Sequence, residues 1–184
     1  MTPGSGGGEG WPSDDDAVVE AEDRGAADTQ VSQLVPAEWA RISLVDRLRG
    51  SINRSLRVQL VDGSRHQGTL AEVGDHWLLL IERDKRVLVF VHALMTLAGV
   101  GEPTPSADNH EAGRRMQAVC REWGRQRRIV TLGVRDGTHV TGSLTRVGTD
   151  TLDVVVHPFD RSASNQDERL VFANSALLWL ATPD

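Results

Sequence analysis

The chain is dominated by short segments in which apolar and polar residues alternate. Segments 56–60 and 130–134 both follow this pattern, and each is followed by an Asp-Gly pair. These pairs are Asp62 with Gly63 and Asp136 with Gly137. Alternation with a period of two predicts a strand that is buried on one face. Asp-Gly between two such segments predicts a hairpin turn, because glycine tolerates a positive φ. The chain is therefore predicted to be mainly β.

The same pattern occurs twice, with the hairpins 74 residues apart. Gly68 and Gly142 fall inside the next predicted strand, where a glycine is typical of a sharp bend. Gly74 and Gly148 mark the turn that follows. Further strands are predicted at 77–81, 87–91 and 94–97 in the first copy and at 152–156, 170–173 and 177–180 in the second. A repeat of this length indicates two copies of one small folding unit.

An amphipathic helix is predicted before each copy. In the first helix Pro36 suits the first turn, and Gly50 is expected to end the helix. In the second helix Asp108 with Glu111 resembles a capping box, and Gly124 is expected to end it. The apolar stripes consist of Trp39, Ile42, Val45 and Leu48 in the first helix, and of Met116, Val119, Cys120 and Trp123 in the second. The repeated unit is thus a helix followed by five strands.

Composition divides the chain into regions. Residues 1–35 are predicted to be a disordered acidic tail, because the first 37 residues carry eight acidic residues and one Arg. Repeat 1 is placed at 36–98 and repeat 2 at 108–181, with a Gly/Pro/Ser linker at 99–107. Beyond the first 37 residues the chain has 18 acidic and 19 basic residues. A body this close to neutral gives no bulk electrostatic argument for nucleic acid.

Several classes of site are excluded by residue content. The single cysteine, Cys120, rules out an internal disulfide or a CxxC site, and the six histidines lack metal-ligand spacing. No nucleotide-binding or hydrolase motif occurs, so no cofactor, no metal and no catalytic residue is predicted. No stretch reaches the roughly 20 apolar residues of a membrane span, and no secretory signal is visible. We therefore expect a cytoplasmic protein with no membrane partner.

Two short motifs resemble those of the Sm-like barrels. Residues 58–70, which contain the Asp-Gly turn and Gly68, look like the first Sm motif, and Phe90-Val91-His92-Ala93 looks like the second motif of the Hfq-type proteins. The resemblance covers roughly residues 40–98 and 112–181, and it extends to actinobacterial proteins with two such units in tandem. It implies two tandem five-stranded Sm-like (SH3-like) small barrels, each preceded by a helix.

The resemblance also implies a candidate RNA site. Hfq-type barrels form rings by pairing the fourth and fifth strands of neighbours, and they bind uridine-rich RNA through an aromatic residue, a Gln and a Lys-His pair. At the matching positions repeat 1 has His76 and Trp77, then Val91 and His92. Trp77 is suited to stacking a base, whereas Val91 lacks the charge of the Lys. The matching residues of repeat 2 are Asp150, Thr151, Asn174 and Ser175, which lack the aromatic ring and the imidazole.

Each of these residues also has an ordinary structural interpretation. Trp77 lies in an apolar run, so it suits core or barrel-to-barrel packing. His92 suits a hydrogen bond at a strand end. The second helix carries a cluster of arginines, which suits a solvated face, an RNA patch or a docking surface for the acidic tail. The tentative RNA-binding members of that cluster are Arg114, Arg115, Arg121 and Arg125.

The function favoured by these observations is non-catalytic binding or scaffolding, with an unknown ligand. Its partner would be another protein, or a second copy bound through barrel strand edges. One alternative is an RNA-binding Sm-like regulator that uses the aromatic/His site of repeat 1 and the Arg patch of the repeat 2 helix. A second alternative is a ribosome-associated accessory factor. The polar loop 158–169 is expected to block one strand edge and to limit ring growth.

Overall fold

The computed structural model describes residues 42–101, 115–156 and 168–183. These residues form two short helices and ten antiparallel strands. The helices are α1 (Leu44–Arg49) and α2 (Met116–Arg125). The strands of repeat 1 are β1 (Ser55–Leu60), β2 (Arg65–Val73), β3 (Trp77–Glu82), β4 (Lys85–Phe90) and β5 (Leu94–Ala98). Those of repeat 2 are β6 (Ile129–Val134), β7 (His139–Val147), β8 (Thr151–Val156), β9 (Glu168–Ala173) and β10 (Leu177–Pro183).

All ten strands belong to one sheet. Its hydrogen-bonded order is β5-β1-β2-β3-β4-β10-β6-β7-β8-β9. Each repeat thus contributes a block with the same internal order, and the two blocks join where β4 pairs with β10. The prediction of a mainly β chain with a helix before each set of five strands is confirmed. The finer prediction of two closed barrels is not shown, because the strands pair as one open sheet in which β5 and β9 are outermost.

The predicted hairpin turns are present in both repeats and are built alike. Gly63 has a φ of 85° and Gly137 a φ of 86°. In repeat 1 the Asp62 Oδ1 atom accepts hydrogen bonds from the backbone N–H and the hydroxyl of Ser64 at 2.9 and 2.6 Å. Asp136 accepts the equivalent bonds from Thr138 at 2.9 and 2.7 Å. These aspartates therefore have a structural role, as turn residues commonly do.

Gly68 lies in β2 and Gly142 in β7, where the neighbouring strand comes too close for a side chain. A Cβ atom added at Gly68 would lie 2.4 Å from the carbonyl oxygen of Ile81, and one at Gly142 would lie 2.2 Å from that of Val155. Both obstacles are backbone atoms, which cannot rotate away. Glycine is therefore required sterically at these two strand positions.

The helices differ in one respect from the prediction. Gly50 caps α1 as expected, but α2 continues through Gly124 to Arg125. The prediction that Gly124 ends the helix is wrong, because this glycine serves close packing: a Cβ there would lie 3.3 Å from the carbonyl oxygen of Leu144 on β7. The left-handed residue that follows each helix is Asn53 (φ 68°) in repeat 1 and Arg127 (φ 52°) in repeat 2. The predicted start of each helix, the acidic tail and most of the linker lie outside the described residues.

The middle of the sheet is apolar on both faces. Residues 77–80 of β3, 87–90 of β4 and 177–180 of β10 are all buried, without the alternation seen in β1. A strand covered on both faces has this continuous apolar pattern. The two repeats thus meet at the most buried part of the described sheet.

Candidate binding pocket between the two repeats

The junction between the repeats, called the seam below, is the antiparallel pairing of β4 with β10. Val89 lies opposite Trp179, Leu88 opposite Leu180 and Val87 opposite Ala181. β10 also pairs with β6, so the last strand of the chain lies between the two blocks. The 3-10 turn Val91–Ala93 after β4 and the equivalent turn Asn174–Ala176 before β10 consequently come to the same end of the seam.

A pocket of about 300 Å³ opens at this end of the seam. Repeat 1 lines it with Asp75, His76, Trp77, Phe90 and His92, and repeat 2 with Arg115, Met116, Gln117, Thr149, Asn174 and Ser175. Of the residues predicted to bind RNA, the structure brings together His76, Trp77, His92 and Arg115. The pocket combines aromatic, imidazole, guanidinium, amide and hydroxyl groups, which suits a polar ligand with a flat apolar part.

Trp77 is largely enclosed. Only 4% of its surface is exposed, and its indole lies over Gly74, where a Cβ would come 2.1 Å from the indole Nε1 atom. The Gly74 N–H donates a hydrogen bond to the Trp77 carbonyl oxygen at 2.9 Å. Most of the Trp77 side chain therefore has a packing role, as one of the two interpretations of the sequence predicts. Only the edge of its indole borders the pocket.

His92 connects the two repeats. Its Nε2 atom lies 3.0 Å from the carbonyl oxygen of Leu177, so this nitrogen carries the proton and donates. The imidazole is tilted against Phe90, with the ring centroids 5.4 Å apart. His92 thus makes the strand-end hydrogen bond suggested by the sequence, but across the seam rather than within one barrel.

Equivalent backbone hydrogen bonds hold the two turns at the pocket. The Val91 N–H donates to the carbonyl oxygen of His76 at 2.9 Å, and the Asn174 N–H donates to that of Asp150 at 2.7 Å. The side chain of His76 is exposed beside this bond. The backbone of the site is therefore duplicated, and its side chains are what differ between the repeats.

Five polar residues of the pocket were not among the predicted binding residues: Asp75, Gln117, Thr149, Asn174 and Ser175. Gln117 of α2 donates a hydrogen bond to the carbonyl oxygen of Thr149 at 2.9 Å. Asn174 has a buried Oδ1 atom with no hydrogen-bond partner among the described residues. Asp75 receives a 2.8 Å ion pair from Arg49 of α1. Asn174 was visible in the sequence as the counterpart of Val91, whereas the distant contact of Gln117 has no signal in the sequence.

The remaining predicted arginines lie elsewhere. Arg121 and Arg125 line a separate groove between α2 and β7, and Arg114 lies outside the described residues. The predicted Arg patch is therefore divided, because Arg115 precedes α2 at the pocket whereas Arg121 and Arg125 project from a different side of the helix. A single ligand in the pocket would not contact all of them.

A second polar cluster lies around Trp179 of β10, at the seam. The indole of Trp179 is flanked by two imidazoles in edge-on contacts, His66 of repeat 1 at 5.1 Å and His139 of repeat 2 at 5.2 Å. The His66 Nδ1 atom is 3.4 Å from a carboxylate oxygen of Glu82. The indole lies over Gly133, which leaves no room for a Cβ there. This cluster packs the repeats together.

Ionisable groups outside the pocket have structural explanations. Burial alone would raise the pKa of Asp62, but the hydrogen bonds from Ser64 and the nearby His139 outweigh it and leave that pKa below the ordinary value of 3.8. Burial raises the pKa of the Cys120 thiol to about 12. Neither change is that of a general acid or base near neutral pH.

The residues that the structure describes contain no group of three or more His, Cys, Asp or Glu side chains placed to hold a metal ion. Within the same part of the chain, no helix is long and apolar enough to cross a membrane. No protein-family model matches the sequence, and a search of curated proteins finds no match either.

Proposed function

We propose that the chain is a non-catalytic scaffold protein made of two Sm-like units, and that it binds further copies of itself through its outer strand edges. The observation that carries this proposal is a difference between equivalent residues. Leu88 on β4 and Val171 on β9 occupy equivalent positions in the fourth strands of the two repeats. Each lies two residues before the one that pairs with the first residue of the third strand, which is β3 in repeat 1 and β8 in repeat 2. Leu88, at the seam, is fully buried, whereas Val171, on the outermost strand β9, is 62% exposed.

The opposite edge of the sheet has the complementary feature. Met95 and Leu178 are both the second residue of a fifth strand. Leu178, at the seam, is fully buried, and Met95, on the outermost strand β5, is 55% exposed. An outermost strand with exposed apolar residues favours pairing with another chain. Each outer strand thus exposes an apolar residue, and the equivalent strand of the other repeat buries the equivalent residue at the seam.

The seam supplies a register for such pairing. If β9 of one copy met β5 of another as β4 meets β10, Val171 would lie opposite Leu97 and Leu170 opposite Ala98. The two edges differ, so the contact is heterologous and the copies form a ring or a filament. Fourth-to-fifth strand pairing is the arrangement that the Sm-like resemblance implies, and this supports the same proposal.

Disulfide cross-linking tests the register. The double variants Leu97→Cys/Val171→Cys and Ala98→Cys/Leu170→Cys sample two successive antiparallel pairs, one of which is the closer, non-hydrogen-bonded kind. We expect one of them to form ladders of covalently joined chains on oxidation. The matched control Ala98→Cys/Glu168→Cys is out of register and should stay unlinked. Equal linking of the control, or none in either test variant, argues against this interface.

Sedimentation analysis tests the assembly itself. Val171→Lys places a charge in the proposed interface and should reduce the particle to a single chain. Ile129→Lys is the control, because Ile129 is 52% exposed on the inner strand β6. A wild-type protein that stays a single chain at all concentrations would contradict the proposal. It would instead agree with edge blocking by the 158–169 loop, of which residues 158–167 lie outside the described residues.

A second candidate function is RNA binding at the seam pocket. It is supported by the grouping of His76, His92 and Arg115 around the rim of Trp77, since bases are bound by stacking and by hydrogen bonds to their edges. Filter binding with uridine-rich and adenine-rich oligonucleotides tests it. His76→Ala and Arg115→Ala should weaken binding that itself falls with salt. Absence of binding at low salt would exclude this candidate. The ribosome-associated role stays a prediction.

A further inference from the structure

A groove on repeat 2, called the arginine groove below, runs between α2 and β7. Arg121 and Arg125 border it on the helix side and Arg146 on the strand side. It has a volume of about 750 Å³ and an aliphatic floor that includes Leu144 and Val147. It shares no lining residue with the seam pocket. A ligand in the groove therefore contacts different residues from a ligand in that pocket.

None of the three guanidinium groups lies within ion-pair distance of an acid in the described part of the chain. Arg121 and Arg125 are one helical turn apart, where like charges repel. All three arginines are exposed, and none forms an ion pair among the residues that the structure describes. Asp153 lies opposite Arg146 on β8 but is not in ion-pair contact with it. Three arginines against this one cross-strand carboxylate leave the groove with an excess of positive charge.

Comparison of the repeats shows that this charge is specific to repeat 2. With the 74-residue offset, the positions of Arg121 and Arg146 correspond to Arg47 and Glu72 in repeat 1. The helix and strand thus present opposite charges in repeat 1 and like charges in repeat 2. Asp153, which stands where repeat 1 has Leu79, offsets part of the charge of Arg146, and an anionic ligand would offset the remainder of the positive charge in repeat 2.

We propose that the arginine groove is a docking site for an acidic peptide segment that also carries aliphatic side chains. Carboxylates would pair with the guanidinium groups, for which bidentate geometry is available. The aliphatic side chains would cover Leu144 and Val147. Among the described residues that line the groove, none has an aromatic ring on which a nucleobase would stack, which favours a peptide over single-stranded nucleic acid. The exposed arginines favour a contact that is sensitive to salt.

Titration followed by NMR tests the proposal on the full-length protein. The probe is a synthetic peptide of alternating Glu and Leu residues, added to the isotope-labelled chain. Amide shifts are expected in residues 118–125 and 144–147 and not at the seam pocket. Arg146→Glu, which gives repeat 2 the charge that Glu72 has in repeat 1, should weaken binding at least about tenfold, because it places like charge against the ligand. Arg121→Ala with Arg125→Ala should do the same without introducing a negative charge.

Arg57→Glu is the matched control, because it makes the same charge change at an exposed arginine on β1, away from the groove. It should leave the affinity for the peptide unchanged. The proposal is overturned if Arg57→Glu weakens binding as much as Arg146→Glu, or if the peptide shifts amides all over the surface. It is also overturned if an oligonucleotide shifts the groove amides and the peptide does not.

Discussion

The imidazole of His92 in repeat 1 lies 3.0 Å from the carbonyl oxygen of Leu177 in repeat 2. This hydrogen bond joins the turn after β4 to the beginning of β10. It adds a side-chain hydrogen bond to the strand pairing, the apolar packing and the contact of His66 with Trp179 that join the repeats. The same imidazole borders the pocket. His92 therefore both joins the repeats and is a candidate contact for a ligand in the pocket.

Replacing His92 by alanine should destabilise the chain by about 1 kcal/mol, the usual net contribution of one hydrogen bond. Urea unfolding measures this change. His76→Ala is the matched control, since His76 is likewise an exposed histidine of the same pocket, and exposed substitutions that remove no such bond usually change stability by less than about 0.5 kcal/mol. Equal effects of the two variants would mean that the bond across the seam contributes nothing measurable.

Leu88→Ala should cost about 2–5 kcal/mol, because it leaves a cavity at the seam. Val171→Ala, at the equivalent position of repeat 2, should cost far less in the single chain, since Val171 is 62% exposed there. Chemical unfolding at low protein concentration compares them. A similar loss in both variants would show that Val171 is also buried in solution.

Gly68→Ala should destabilise the fold by roughly 1–3 kcal/mol, as overpacking does, because the new methyl would press on a backbone carbonyl. Gly148→Ala should cost less. The nearest atom there is the hydroxyl oxygen of Thr151, at 2.5 Å from the added Cβ, and a side chain is able to rotate. Thermal unfolding ranks the two variants, and the reverse order would contradict the steric argument.

Acid should remove a contribution of Asp62 to stability. Its folded-state pKa lies below the ordinary value of 3.8, so the ionised carboxylate stabilises the fold above that value. This stability is lost as the pH falls from 3.8 through the folded-state pKa. Asp62→Asn keeps an acceptor for Ser64 but does not titrate. Urea titrations at neutral and acidic pH should therefore show a smaller acid loss in Asp62→Asn than in the wild type, and equal losses would contradict the pKa direction.

Cys120 should resist thiol reagents until the protein unfolds. The residue is fully buried, and its pKa of about 12 leaves almost no thiolate at neutral pH. Maleimide labelling followed by mass spectrometry should show an unmodified protein in buffer and one adduct in urea. Rapid labelling of the folded chain would mean that α2 opens readily away from β7.

The repeat made much of the fold predictable from the sequence. Turn aspartates, glycines and alternating strands are local signals, and they located both hairpins and all ten strands within a few residues. The end of α2 was misplaced because Gly124 was interpreted through its backbone freedom, whereas its role is the close approach of Leu144. A sequence records that a residue is small but not which neighbour requires it to be so.

The site was less predictable, because it depends on contacts between the repeats. His76, Trp77 and His92 were found through the resemblance of repeat 1 to one family. Gln117 and Arg115 join them only because β10 brings repeat 2 alongside β4, a pairing more than 80 residues apart in the chain. The division of the arginines between pocket and groove likewise follows from the orientation of α2, which residue spacing alone does not fix.

The covalent link between the two halves changes what a single mutation does. In a symmetric oligomer of identical subunits, every substitution is repeated at every interface, so a change that helps one side of a contact also alters the other side. At the seam of this chain, His92 and Leu177 lie in different halves, and each half has its own copy of the sequence. The two faces of this contact are therefore free to change one at a time, and they are always synthesised in equal amounts.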